Sequence, residues 1–142
     1  MTDPVGILDT NALILIDRLD PGDLPAEPVI TAVTLAELSV GPLFAVKESE
    51  RVARQMRLQQ TEASFDPLPF DAAAARAFGG VAASLRQAGQ AGQAGRKPAA
   101  RALDALIAAT AIANGLPLYT CNAGDFDGID GIRVESIRHP DS

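Results

Sequence analysis

The chain has one cysteine, one histidine, one tyrosine and no tryptophan among its 142 residues, and each shortage removes a class of protein. A lone Cys121 excludes a disulfide framework and every cysteine-rich zinc site, and it suits a reducing compartment. His139 sits in the terminal tail, so the nitrogen and sulfur donors that zinc or copper prefer are missing. Phe44, Phe65, Phe70, Phe78 and Phe126 are too scattered for a base-stacking platform and are expected in the core. Basic charge is also short: the formal net charge is −6, which argues against a protein that coats nucleic acid generically. Asp3 and Asp9 interrupt the N-terminus where a secretory signal would need a basic start and an apolar run. Residues 105–124 carry no charge, but Asn114-Gly115-Leu116-Pro117 breaks them into a helix end and a strand start. A cytoplasmic protein with no membrane span is expected.

What is present is unevenly distributed. Residues 1–42 hold Arg18 against seven acids, residues 43–101 reverse to a net +4, and residues 102–142 return to −4. Local sign rather than the sum decides which ligand a surface attracts. The length suits one domain over residues 1–142, large enough to bury a core without staples.

Apolar runs alternate with helical patterns. Val5-Gly6-Ile7-Leu8 reads as a strand, followed by a helix carrying Ala12, Leu13, Leu15, Ile16 and Leu19. Residues 29–33 are β-branched enough for a second strand, and Thr34 starts a helix ending near Gly41-Pro42. Residues 47–63 predict a helix with Val52, Ala53, Met56 and Ala63 on its apolar face. Arg51, Arg54 and Arg57 would then lie on a solvated face, the alternative being contact with RNA phosphates. Leu68-Pro69-Phe70 reads as a short edge strand, and Asp71 caps a helix to about Ala88. Gln-Ala-Gly repeats three times within a flexible loop of about residues 87–97. Residues 99–114 form the strongest helix, closed by Gly115. Residues 118–120 and 132–134 are the last strands, with a short helical turn after Asn122. The class is α/β with a mainly parallel central sheet flanked by helices, whose ligand site lies beyond the carboxyl ends of the strands.

Four carboxylates stand out. Asp104 is the only charge in residues 102–113, otherwise Ala, Leu, Ile and Thr, and a helix apolar all round is buried. Its carboxylate therefore needs a partner, either Arg101 or Lys97 in a salt bridge or a place in a site. Asp9 ends the first strand, where it either caps the following helix or serves the site. Thr34-Leu35-Ala36-Glu37 fits a capping box, the structural reading of Glu37. Asn122-Ala123-Gly124-Asp125 looks like a capped turn. Taken together, these acids collect at the edge where an α/β sheet places its ligand, and their repulsion calls for a cation. An oxygen-only donor set suits Mg2+ or Mn2+.

Four ordered segments now form a pattern: Ile7-Leu8-Asp9-Thr10-Asn11, Thr34-Leu35-Ala36-Glu37-Leu38, Leu103-Asp104-Ala105-Leu106-Ile107 with the residues to Ala111, and Tyr119-Thr120-Cys121-Asn122-Ala123-Gly124-Asp125-Phe126. In order and spacing the set resembles the PIN-domain nucleases, and within them the VapC-type toxins of bacterial toxin–antitoxin pairs. The resemblance implies a single PIN-like domain and a metal-dependent endoribonuclease. Asp9 and Asp104 would hold Mg2+, with Mn2+ as a substitute. Asp125 would complete the site directly or through water, and Glu37 would bind metal or orient the attacking water. Asn11, Thr120 and Asn122 would support the site, and products would carry a 5′-phosphate and a 3′-hydroxyl. Arg96, Lys97 and Arg101 lead into the helix bearing Asp104 and would face the RNA. A cognate antitoxin and a homodimer are the expected protein partners. Apolar residues of the first two helical regions, with Val40, Leu43 and Phe44, would form the antitoxin groove, or else pack in the core.

Two alternatives remain open. One is a haloacid dehalogenase-like phosphatase, whose D-x-D pattern Asn11 breaks; the other is a catalytically silent acidic binding module. Cys121 is expected as a small buried filler.

Overall fold

Strand β1 (Val5–Leu8) pairs on both sides, with β2 (Glu27–Val29) and with β3 (Leu118–Thr120), and β3 pairs with β4 (Val134–Ser136). The order is β2-β1-β3-β4 and every pairing is parallel. The computed structural model describes residues 4–89 and 97–142. Arg96 and most of the Gln-Ala-Gly repeat lie outside the described residues. The helices are α1 (Thr10–Ile14), α2 (Ala32–Phe44), α3 (Glu48–Ser64), α4 (Ala72–Ala88) and α5 (Pro98–Asn114).

Alternation along β1 divides the core. Ile7 enters a cluster with Val81 of α4 and Ile107 and Ala108 of α5, whereas Leu8 enters one with Ala12, Leu13, Ile30, Leu38 and Tyr119. Successive strand side chains point to opposite faces, so helices cover both faces, as a parallel sheet requires. Gly6 allows the closest approach between β1 and β3: a Cβ there would collide with the Tyr119 ring. Gly115 closes α5 in the left-handed conformation at φ 64°, as expected of a glycine at this position.

Five local expectations need correction. The second strand spans Glu27–Val29 rather than 29–33, because Thr31 leaves the sheet to cap α2 with its Oγ1, which accepts from the Thr34 N–H at 3.2 Å. Pro28 is tolerated since β2 is an edge strand. The last strand begins at Val134, two residues late. Leu68 makes only an isolated parallel bridge to Thr31. Helix α3 is rotated from its predicted orientation: Val52, Ala53, Met56 and Ala63 are exposed, and Arg54, Arg57, Leu58 and Thr61 are the more buried positions. Of the phenylalanines expected in the core, Phe126 is buried and Phe65 and Phe78 pack on it, but Phe44 is 78% and Phe70 38% exposed.

Candidate functional site

Asp9 follows directly on β1, at the carboxyl edge of the sheet, and is 5% exposed. It does cap α1, accepting from the Ala12 N–H at 2.9 Å through Oδ1. Its other oxygen, Oδ2, accepts from the hydroxyl of Thr120, the last residue of the neighbouring strand. Capping and site geometry are thus not alternatives, because the two bonds together hold the carboxylate in one orientation.

Thr120 extends the line. Its Oγ1 accepts from the Asn122 N–H at 3.0 Å, and Asn122 Nδ2 donates to Asp125 Oδ1 at 3.1 Å. Asn122 does not cap the 3-10 turn Ala123–Phe126 with its side chain; it holds Asp125, which is 6% exposed. A hydrogen-bonded path from Asp9 through Thr120 and Asn122 to Asp125 thereby joins residues more than a hundred positions apart.

Glu37 belongs to a second path. Because Thr31 caps α2, Thr34 lies inside the helix and the predicted capping box is absent. Glu37 Oε1 instead accepts from Thr10 Oγ1 at 2.8 Å, and Thr10 Oγ1 lies 2.9 Å from Thr34 Oγ1. The Thr10 hydroxyl proton is committed to Glu37, so Thr34 donates to Thr10. Thr10 adjoins Asp9, so this path meets the first one at α1.

Asp104 lies on the buried side of α5 at 9% exposure. Helix α5 packs against α2, which bears Glu37, and against the turn that bears Asp125. Lys97 is exposed at the start of α5, and Arg101 lines a groove between α4 and α5 with Arg86. Asn11 is exposed between two clefts, one of about 360 Å³ shared with Thr10, Glu37, Arg54 and Arg57, the other of about 420 Å³ shared with Cys121, Asn122 and His139. Cys121 is half-buried; burial, then the negative charge of Asp9, pushes its thiol pKa up, so it is a poor nucleophile. Residue patterns give Thr10 no role and Thr34 only that of a cap, because their hold on Glu37 depends on contacts made across the fold.

The donors are hard oxygens, which suit Mg2+ or Mn2+. Among the described residues no group of three His, Cys, Asp or Glu forms a ready-made metal chelate.

A cleft of about 630 Å³ lies between α1 and α3, lined by Leu13, Ile14, Met56 and Phe65 among others. Leu43, Phe44 and Val46, at and just beyond the end of α2, are 81%, 78% and 95% exposed, so core packing does not explain them. Among the described residues no helix is long and apolar enough to cross a membrane.

Comparison with known proteins gives a consistent result. Residues 7–132 match the PIN domain family. The sequence is 35% identical to ribonuclease VapC5 of Mycobacterium tuberculosis over 141 residues, covering 96% of this chain and 97% of that protein. It is 32% identical to ribonuclease VapC4 of the same organism, covering 92% and 95%. Among solved structures, a chain of the toxin–antitoxin complex VapBC-5 from Mycobacterium tuberculosis superposes with a TM-score of 0.76 at 32% identity, covering 94% of this chain and 98% of that one. A chain of DNA-bound VapBC from Salmonella typhimurium gives a TM-score of 0.71 at 25% identity, covering 96% and 98%.

Proposed function

The chain belongs to the PIN-domain family and is a toxin of the VapC type, and from that membership we propose that it is a Mg2+-dependent endoribonuclease silenced by a cognate antitoxin. The observation that carries the reading is the path from Asp9 through Thr120 and Asn122 to Asp125 at the carboxyl edge of the sheet. A hydrogen-bonded frame of this kind fixes buried carboxylates that would otherwise repel one another.

Asp9 and Asp104 would hold the ion, with Asp125 reaching it directly or through water. When bound, the ion supplies Lewis acidity: it lowers the pKa of water and stabilises charge on the phosphoryl and leaving oxygens. Thr120 and the Ala12 N–H keep Asp9 oriented toward that place. Glu37, held by Thr10, is set to orient the attacking water and accept its proton, and Asn11 and Asn122 flank the strand. Lys97 and Arg101, and Arg96 before them, would draw in the RNA backbone. For the antitoxin, the α1–α3 groove and the exposed end of α2 supply the apolar surface. Relatives described as VapBC complexes support a protein partner of this kind.

The test is cleavage of RNA by the purified chain. Activity is expected with Mg2+ or Mn2+ and is abolished by EDTA. Asp9→Asn should lose at least a hundredfold in kcat while still binding RNA, since one metal-holding charge is gone. An Asp9→Asn variant that cut RNA at the wild-type rate would sink the mechanism. A wild-type chain that neither cut RNA nor bound Mg2+ in calorimetry would favour the silent acidic module.

A further inference from the structure

Helix α3 turns part of its positive charge toward the molecule. Arg51 is exposed and pairs with Glu48 one turn before it. Arg54 and Arg57 instead line the cleft of about 360 Å³ with Thr10, Asn11 and Glu37. Arg54 is held there: its Nη1 donates to the Gly41 carbonyl at 2.9 Å, and its Cδ lies 3.4 Å from where a Cβ on Gly41 would be. The arginine stem thus runs along α2 at Gly41, at ordinary van der Waals distance. A carboxylate of Glu50 at 3.9 Å, too far for a good ion pair, leaves most of its fork free. Arg57 is half-buried, and among the described residues its guanidinium has no carboxylate partner. Of the residues that line the cleft, two carry guanidinium groups and one, Glu37, a carboxylate, so with Glu50 outside it the lining is net positive directly beside a residue of the proposed site. A partly desolvated planar guanidinium without an anion matches a phosphate, which it can bind with two parallel hydrogen bonds.

The geometry points to Arg54 and Arg57 as substrate-positioning residues that hold a phosphodiester of an unpaired RNA segment next to the bond that is cut, on the Glu37 side. That the polyanion is RNA rests on the ribonuclease reading above. The role of the arginines is to fix the register of the strand.

The experiment measures binding of a fluorescein-labelled single-stranded RNA to the full chain in EDTA by anisotropy, and cleavage of the same RNA with Mg2+. Arg57→Ala should weaken binding about tenfold and raise KM alike, leaving kcat within about twofold. The slope of log affinity against log salt should fall by about 0.7, the loss of one phosphate contact on a single strand. Arg57→Lys should recover only part of the affinity, because an ammonium lacks the fork. Arg51→Ala, on the paired outer face, should match wild type in every readout. Wild-type affinity and salt slope in Arg57→Ala would overturn the assignment. So would a loss confined to binding of the antitoxin, which would make the arginines anchors for a carboxylate of that partner. Failure of the parent reading has a different signature: no cleavage by wild type with Mg2+, while the arginine effect on RNA binding persists.

Discussion

Thr120 carries more of the site than its size suggests. Its buried hydroxyl donates to Asp9 and accepts from the Asn122 N–H, so it ties the end of β3 to the end of β1 and to the turn bearing Asp125. Thr120→Val keeps the shape but strands a buried carboxylate oxygen and a backbone N–H, each worth about 1–3 kcal/mol. Chemical denaturation should register a loss of about 2–4 kcal/mol, and kcat should fall at least tenfold with RNA affinity unchanged. Thr120→Ser keeps both bonds and should recover most of kcat; if it does not, the hydroxyl is not what matters. Thr120, Asn122 and the four acids are legible in the sequence because each stands at a strand end or in an apolar helix. Glu37 is legible as a residue but not by its contact. Thr31 and Thr34 both have the chemistry of a cap, and only the bridge from Thr31 to Leu68 in the folded chain decides for the earlier one. That choice frees Glu37 from the helix start and gives it to Thr10, 27 positions away.

At the scale of elements, hydrophobic periodicity places every helix and misplaces faces and ends. Strand β2 starts two residues and ends four residues earlier than expected, and β4 lies two residues later, because β propensity cannot tell where a helix cap or a turn will take the chain from the sheet. The apolar residues of helix α3 predict that Val52 and Met56 face the core, yet it turns Leu58 and Thr61 inward and leaves Val52 and Met56 outside. A sequence counts apolar residues on a face without showing whether that face meets its own core or another molecule. Helix α5 poses the opposite problem, since its buried face is evident from sequence but its start goes against helix electrostatics. Lys97 caps it without a side-chain hydrogen bond, and no acid stands in its first turn. A cation at the positive end of the helix dipole is unfavourable, whereas the same cation favours an arriving phosphate. Lys97→Asp supplies a cap acceptor and a favourable charge, so thermal denaturation should show a gain of about 1 kcal/mol, or about 2–4 °C. RNA cleavage at low salt should fall severalfold in kcat/KM, the difference narrowing as salt is raised. A variant both stabler and equally active would remove Lys97 from the RNA path.

For the whole molecule, a net charge of −6 misdescribes a surface on which unlike regions lie close together. Asp9 and Asp125 are linked at the sheet edge, Arg54 and Arg57 share a cleft with Glu37, and beyond the end of α2 lies apolar surface that packs on no core among the described residues. Leu43, Phe44 and Val46 are almost fully exposed and Met56 is 53% exposed, also lining the α1–α3 groove beside Arg57. Clustered exposure of this kind marks a partner surface, and in a VapC-type toxin the antitoxin is the partner that would cover it. The charged cleft and the apolar flank can then be separated by mutation. Phe44→Ser combined with Met56→Ser removes apolar area already in water, so folding stability should stay within about 0.5 kcal/mol of wild type. The free toxin should cut RNA at the wild-type rate, because neither side chain is among the proposed site residues. The complex with the antitoxin should dissociate at least tenfold faster, since truncation of well-packed apolar contacts acts mainly on the off-rate. That rate is measured by displacement of labelled antitoxin, and its insensitivity to 0.5 M salt, in contrast to RNA binding, would identify the contact as apolar rather than ionic. Unchanged dissociation would move the antitoxin to another face, and a stability loss of several kcal/mol would return these side chains to the fold itself.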